Sequence, residues 1–140
     1  MPSARPLYGY TDIASSATDD DLFSTIATIT ATIINTGNAT GAEVVQLYVS
    51  LPSDMSDIPP TPKRQLRAFA KTKSLSPGES EVVSLELRRK DVSYWDVARQ
   101  AFVVPTLSGE KNSEYAVGIG IGITVGASSR DARLTGMLVL

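Results

Sequence analysis

Several stretches of this chain alternate aliphatic or β-branched residues with small or polar ones, and a period of two repeated over that many segments leaves little room for anything but antiparallel sheet. From Thr25, the residues Ile26, Ile29, Ala31 and Ile33 are interleaved with Thr28, Thr30 and Thr32 until Asn35-Thr36-Gly37 breaks the run. Val44 to Val49 places Val45, Leu47 and Val49 on one face and Val44, Gln46 and Tyr48 on the other. Glu81 to Leu87 directs Val83, Leu85 and Leu87 inward, and Tyr115 to Val125 sets five β-branched residues against Gly118, Gly120 and Gly122. A shorter strand is expected around Phe102-Val103-Val104, ended by Pro105. Strands of this length with turn signals between them, and no sustained helical period, predict an all-β antiparallel sandwich.

The segments between the strands read as punctuation. Residues 1 to 24, with Pro2, Pro6 and the acidic run Asp19-Asp20-Asp21, read as an N-terminal arm or linker, leaving 25 to 140 as one domain. Leu51 to Pro62 carries four prolines, which cannot donate to a sheet ladder, and is expected to be a surface loop. Lys63 to Lys73 is basic, with Leu66 and Phe69 expected as apolar anchors, and Ser76-Pro77-Gly78-Glu79 reads as a chain reversal.

The chain contains no Cys and no His, which removes thiol nucleophiles, disulfides, imidazole bases and Cys/His zinc sites as options. A net charge of -2 gives no overall attraction to nucleic acid or anionic lipid, so neither is expected as a partner. No cofactor is expected. No signal peptide or membrane-spanning apolar run is read in the sequence, and an extracellular location is expected only through a secreted parent enzyme.

In order, Asn35-Thr36-Gly37, Gly41 to Val49, Gln65 to Phe69, Leu75 to Ser80, Asp91 to Asp96 and Val125 to Asp131 resemble the fibronectin type III-like domain at the C-terminus of family 3 glycoside hydrolases, the β-glucosidases and β-xylosidases. The resemblance covers roughly residues 25 to 138 and implies an immunoglobulin/fibronectin type III-like β-sandwich. In that family, catalysis belongs to a TIM-like barrel carrying the aspartate nucleophile and an α/β sandwich that usually contributes the glutamate acid/base. No catalytic motif of either domain is matched here, so no catalytic residue is assigned. The resemblance implies a non-catalytic module that docks on the catalytic domains. The chain departs from the family at Ala68, usually Gly, and through an extra residue at 72 to 74. It is also longer between Pro105 and Gly126, where either an insertion over 106 to 121 or a lengthened strand is expected.

Candidate contact residues are Tyr48, Tyr94, Trp95 and Phe102, as an interface or as a sugar-stacking surface. Two alternatives stand beside docking: a free-standing polysaccharide- or lignin-binding module using Tyr48, Trp95 or Phe102, and a truncated gene product. Arg130 and Asp131 are expected to form a loop-fixing network, and Asn38-Ala39-Thr40 fits the N-glycosylation sequon. Asp91 and Asp96 lie in a polar corner with nothing to perturb them toward acid/base work.

Overall fold

A computed structural model describes residues 4–10, 22–52, 58–105 and 120–139. The strands are β1 (Ala4–Tyr10), β2 (Thr25–Asn35), β3 (Val44–Ser50), β4 (Gln65–Lys71), β5 (Ser80–Arg88), β6 (Tyr94–Asp96), β7 (Ala101–Val103), β8 (Gly120–Ser128) and β9 (Asp131–Val139). They form a three-stranded sheet of order β1-β2-β5, a four-stranded sheet of order β4-β3-β8-β9 and the small hairpin β6-β7. Every named pair is antiparallel. This is the all-β antiparallel sandwich that the alternation predicts.

One face of each sheet supplies the core. Ile29, Ala31 and Ile33 of β2 and Val83, Leu85 and Leu87 of β5 join Val45, Leu47 and Val49 of β3 and Ile121, Ile123 and Val125 of β8 in one buried cluster. Each large aliphatic side chain so buried contributes about 1.5–3 kcal/mol relative to exposure. That cluster is what a two-residue period can build and a helical period cannot.

Two expectations change. The segment read as an N-terminal arm begins as a strand: β1 pairs with β2 from Ala4 opposite Asn35 to Tyr10 opposite Ile29. An edge strand needs only one satisfied ladder, so Pro6 is tolerated there. Leu66 and Phe69 are not core anchors; they are 48% and 72% exposed. A bulge is the cause: Leu47 pairs with Ala68 but Tyr48 pairs with Leu66, leaving Arg67 as the extra residue. Leu66 and Phe69, which strict alternation would send to opposite faces, therefore both lie on the outer one, while Ala68 and Ala70 pack against the core. Most of the anomalous 106 to 121 stretch, including Tyr115 to Ile119, lies outside the described residues; from Gly120 onward the Gly/Ile run is strand β8.

Buried polar side chains close the end of the sandwich where β2 meets β3. Asn35 is only 3% exposed. Its Nδ2 donates to the carbonyl oxygens of Ala39 and Leu75, both at 2.8 Å, and its Oδ1 accepts from Gly37 N–H at 2.9 Å. Its own carbonyl accepts from Gly78 N–H at 2.7 Å. Gly78 holds the Ser76–Glu79 reversal with a φ of +82°, which a side-chain-bearing residue adopts only with strain. Thr72 plays a parallel part: its N–H donates to Glu43 O, and its Oγ1 accepts from Glu43 N–H at 3.0 Å.

Two stability outcomes follow from these packings. Asn35→Ala is expected to cost about 1–3 kcal/mol in urea unfolding, because the buried Leu75 carbonyl loses its bond with no water to replace it. A Cβ at Gly126 would stand 2.0 Å from the carbonyl oxygen of Asp131, whereas one at Gly120 would meet the ε-methyl of the exposed Met137 at 2.2 Å. Backbone cannot yield as a flexible side chain can, so Gly126→Ala should cost about 2 kcal/mol or more and Gly120→Ala less than about 1 kcal/mol.

Candidate functional site

The polar turn after β5 carries the surface with the clearest chemical character. Residues Arg89–Val92 make one 3-10 turn whose geometry is held from inside. Asp91, buried, accepts from Arg88 N–H at 2.8 Å through Oδ2, and the Arg88 guanidinium Nε lies 3.6 Å from the same oxygen. Ser93 Oγ donates to Arg89 O at 2.6 Å. Val92 and Tyr94 then turn into the core, so alternation sends Trp95 outward.

The β6-β7 hairpin completes the surface. Trp95 pairs directly with Phe102, and their rings meet edge to face with centroids 5.2 Å apart and planes at 74°. Asp96 folds the connecting loop by accepting from Ala98 N–H at 2.9 Å and Arg99 N–H at 3.1 Å, and Gln100 closes it with a φ of +48°. Lys90 Nζ stands 5.0 Å from the Phe102 ring centre and 5.8 Å from that of Phe23, with Arg88 at 5.8 Å on Phe23 as well. Such exposed cation–π contacts contribute about 0.5–1 kcal/mol each, enough to hold the rings in place without burying them. Phe23, Trp95 and Phe102 remain 62%, 47% and 37% exposed. Together with Arg88, Arg89, Lys90 and Arg99 they form an aromatic and cationic pole at the start of β2.

The structure separates the candidate residues. Trp95 and Phe102 are brought together at the surface. Tyr94 is not a contact residue; it is 9% exposed and belongs to the core. Tyr48 faces away from the core, as alternation requires, yet is only 7% exposed, with its hydroxyl donating to Gln46 Oε1. It offers no ring to a ligand. Asp91 and Asp96 spend their carboxylates on backbone N–H groups, in structural roles. Arg130 and Asp131 do not pair with each other. Asp131 is instead held by Arg133, with Nε and Nη2 at 2.8 and 2.9 Å from its two oxygens, while Ser128 Oγ accepts from the backbone N–H groups of Arg130 and Asp131. Asn38 is exposed in the β2-β3 connection. Phe23 and Lys90 were missed by sequence reasoning, although a phenylalanine among acidic and polar residues just before the first long strand is a visible signal.

Among the described residues, no group of three or more acidic side chains could hold a metal ion, and no helix is long and apolar enough to cross a membrane. A shallow, open-sided cleft lined by Ile33, Glu43, Val45, Val125 and Arg133 encloses room for no more than about one water molecule.

Two surface carboxylates carry a pH signature. The Ser76 backbone N–H, with Lys73 beside it, holds Glu79 below the usual carboxylate range, and the Arg133 guanidinium does the same for Asp131. A carboxylate whose pKa is lower folded than unfolded stabilises the fold above its unfolded pKa and loses that contribution as the pH falls through the folded value. Thermal unfolding midpoints should therefore drop on acidification below about pH 4, and the drop should be smaller in Glu79→Gln and Asp131→Asn.

Comparison with known proteins places this geometry. Residues 43–120 match the family described as Fibronectin type III-like domain. The chain is 49% identical over 114 residues, 81% of its length, to the β-glucosidase cel3A of Pyricularia oryzae, and 47% identical over 116 residues to the probable β-glucosidase L of Emericella nidulans. It covers only 14% of either relative. Among solved structures, the β-glucosidase D2-BGL of Chaetomella raphigera superposes with a TM-score of 0.76 at 38% identity, covering 99% of this chain and 18% of that one. The β-D-glucoside glucohydrolase of Trichoderma reesei gives 0.71 at 42% identity, with 98% of this chain and 18% of that one covered. The strand order, the core and these matches agree that the chain belongs to the fibronectin type III-like domain family, in the form similar to that of the family 3 β-glucosidases.

Proposed function

We propose that this domain is a non-catalytic interaction module of a secreted family 3 β-glucosidase, docked on the catalytic domains through its aromatic and cationic pole. The observation that carries the reading is the exposure of Phe23, Trp95 and Phe102 together, braced by Lys90. Large aromatics and arginines held at a surface are the residues from which interface hot spots are built. The guanidinium and ammonium groups around them favour an acidic partner surface. The relatives support the same reading: each is a β-glucosidase about seven times longer than the matched segment, so the rest of its length is available for catalysis.

A polysaccharide- or lignin-binding role is the weaker reading. Trp95 and Phe102 stand at 74° to each other and present no common plane on which a sugar chain could lie. Retention of the chain on insoluble cellulose or lignin that disappears in Trp95→Ala would nevertheless move that reading ahead.

The purified chain is expected to turn over no aryl glucoside. Docking is tested in a full-length family 3 β-glucosidase in which this domain replaces its counterpart. Trp95→Ala with Phe102→Ala should remove about 2 kcal/mol or more of interface stabilisation, seen as a lower midpoint for heat inactivation of aryl-glucosidase activity. The same pair in the isolated domain should cost only about 1 kcal/mol, and Phe69→Ala should leave the enzyme's midpoint unchanged. Equal midpoints for the double variant and its parent would sink the docking proposal.

A further inference from the structure

We infer that Asn38 is an N-glycan attachment site and that the glycan marks the solvent-facing pole of the domain, opposite the aromatic one. Asn38-Ala39-Thr40 is the only Asn-X-Ser/Thr sequence in the chain, and Ala39 satisfies the requirement that the middle residue not be proline. All three residues are exposed, in the connection between β2 and β3 rather than in a strand whose ladder would compete for them. No hydrogen bond found among the described residues engages the Asn38 side chain. The loop is nevertheless fixed in place, because Asn35 Nδ2 holds the Ala39 carbonyl at 2.8 Å and Gly41 pairs with Leu75. A bulky hydrophilic group on Asn38 would thus extend into water without disturbing the bonds that organise the loop.

The position within the fold gives the site a consequence. Phe23 precedes β2, and Asn38 follows it by three residues beyond Asn35. The ten rises of about 3.3 Å between its eleven residues put roughly 33 Å between the two ends of β2. A glycan on Asn38 leaves the rings of Phe23, Trp95 and Phe102 uncovered and keeps the other pole hydrated. One pole is then available for docking and the other is not.

The modification is a group transfer from a lipid-linked oligosaccharide diphosphate. Asn38 Nδ2 forms the bond to C1 of the reducing-end sugar as the C1–O bond to the diphosphate breaks. The lipid diphosphate leaves with the electron pair, and the amide proton passes to a base of the transferase. The inference rests on the secretory part of the proposed function, because only a chain that enters the secretory pathway meets that donor.

The test supplies secretion independently. The full chain is expressed behind a secretion signal in a yeast host, and its intact mass is measured before and after treatment with peptide N-glycosidase. The expected result is a glycan mass lost on treatment, with conversion of Asn38 to aspartate in the peptide that contains it. The glycan should be absent from Asn38→Gln and Thr40→Ala and retained in Thr40→Ser, while all three variants are secreted in folded form. A wild-type chain secreted at its bare polypeptide mass would overturn the inference, and so would a glycan that persists in both Asn38→Gln and Thr40→Ala. Because the host imposes secretion, neither outcome depends on whether the domain docks on catalytic domains.

Discussion

Burial of the alternating faces of β2 and β5 against those of β3 and β8 is the constraint from which the rest of this structure follows. Once Ile29, Ala31 and Ile33 must meet Leu47, Val49 and Ile123, each strand's second face is committed to the outside, and connections must reverse at the two ends. The polar residues that can afford burial are then those that organise the reversals. Asn35 ties the β2-β3 loop to the Leu75 segment, and Asp91 ties the turn after β5 to Arg88. Asn35 carries three side-chain hydrogen bonds, and Asp91 a hydrogen bond and an ion pair, as buried polar groups require partners.

The two ends differ in chemistry. At the Asn35 end, hydrogen bonds, the Gly78 turn and an exposed sequon make a hydrophilic surface. At the Phe23 end, the β6-β7 hairpin projects aromatic rings that no core residue requires. A free monomer gains nothing from keeping Trp95 in water, since burying a ring of that size is among the larger apolar contributions a side chain makes. That asymmetry is the physical basis for assigning docking to one pole and solvation to the other.

Much of this was legible in the sequence. Val45, Leu47, Val49, Val83, Leu85 and Leu87 could be placed in the core by period alone. What escaped did so for identifiable reasons. A bulge at Arg67 shifted the phase of β4 and turned Leu66 and Phe69 outward, and a bulge is a pairing property that one strand read alone does not display. Pairing along an edge made Ala4–Tyr10 a strand despite its linker-like composition. Tyr48 lies on the outer face that alternation assigned to it, but burial on that face depends on neighbours distant in sequence. Asp131 pairs with Arg133, two residues away on the same face of β9, rather than with the adjacent Arg130, which lies in the turn before that strand.

Radical footprinting of Trp95, the single tryptophan of the chain, addresses the docking claim most directly. The isolated domain and the full-length β-glucosidase carrying it would be oxidised under the same dose, and the peptides containing Trp95, Phe69 and Met137 compared by mass spectrometry. Trp95 is expected to be oxidised readily in the isolated domain and protected in the enzyme, while Phe69 and Met137 react alike in both. Equal oxidation of Trp95 in the two proteins would contradict the docking claim.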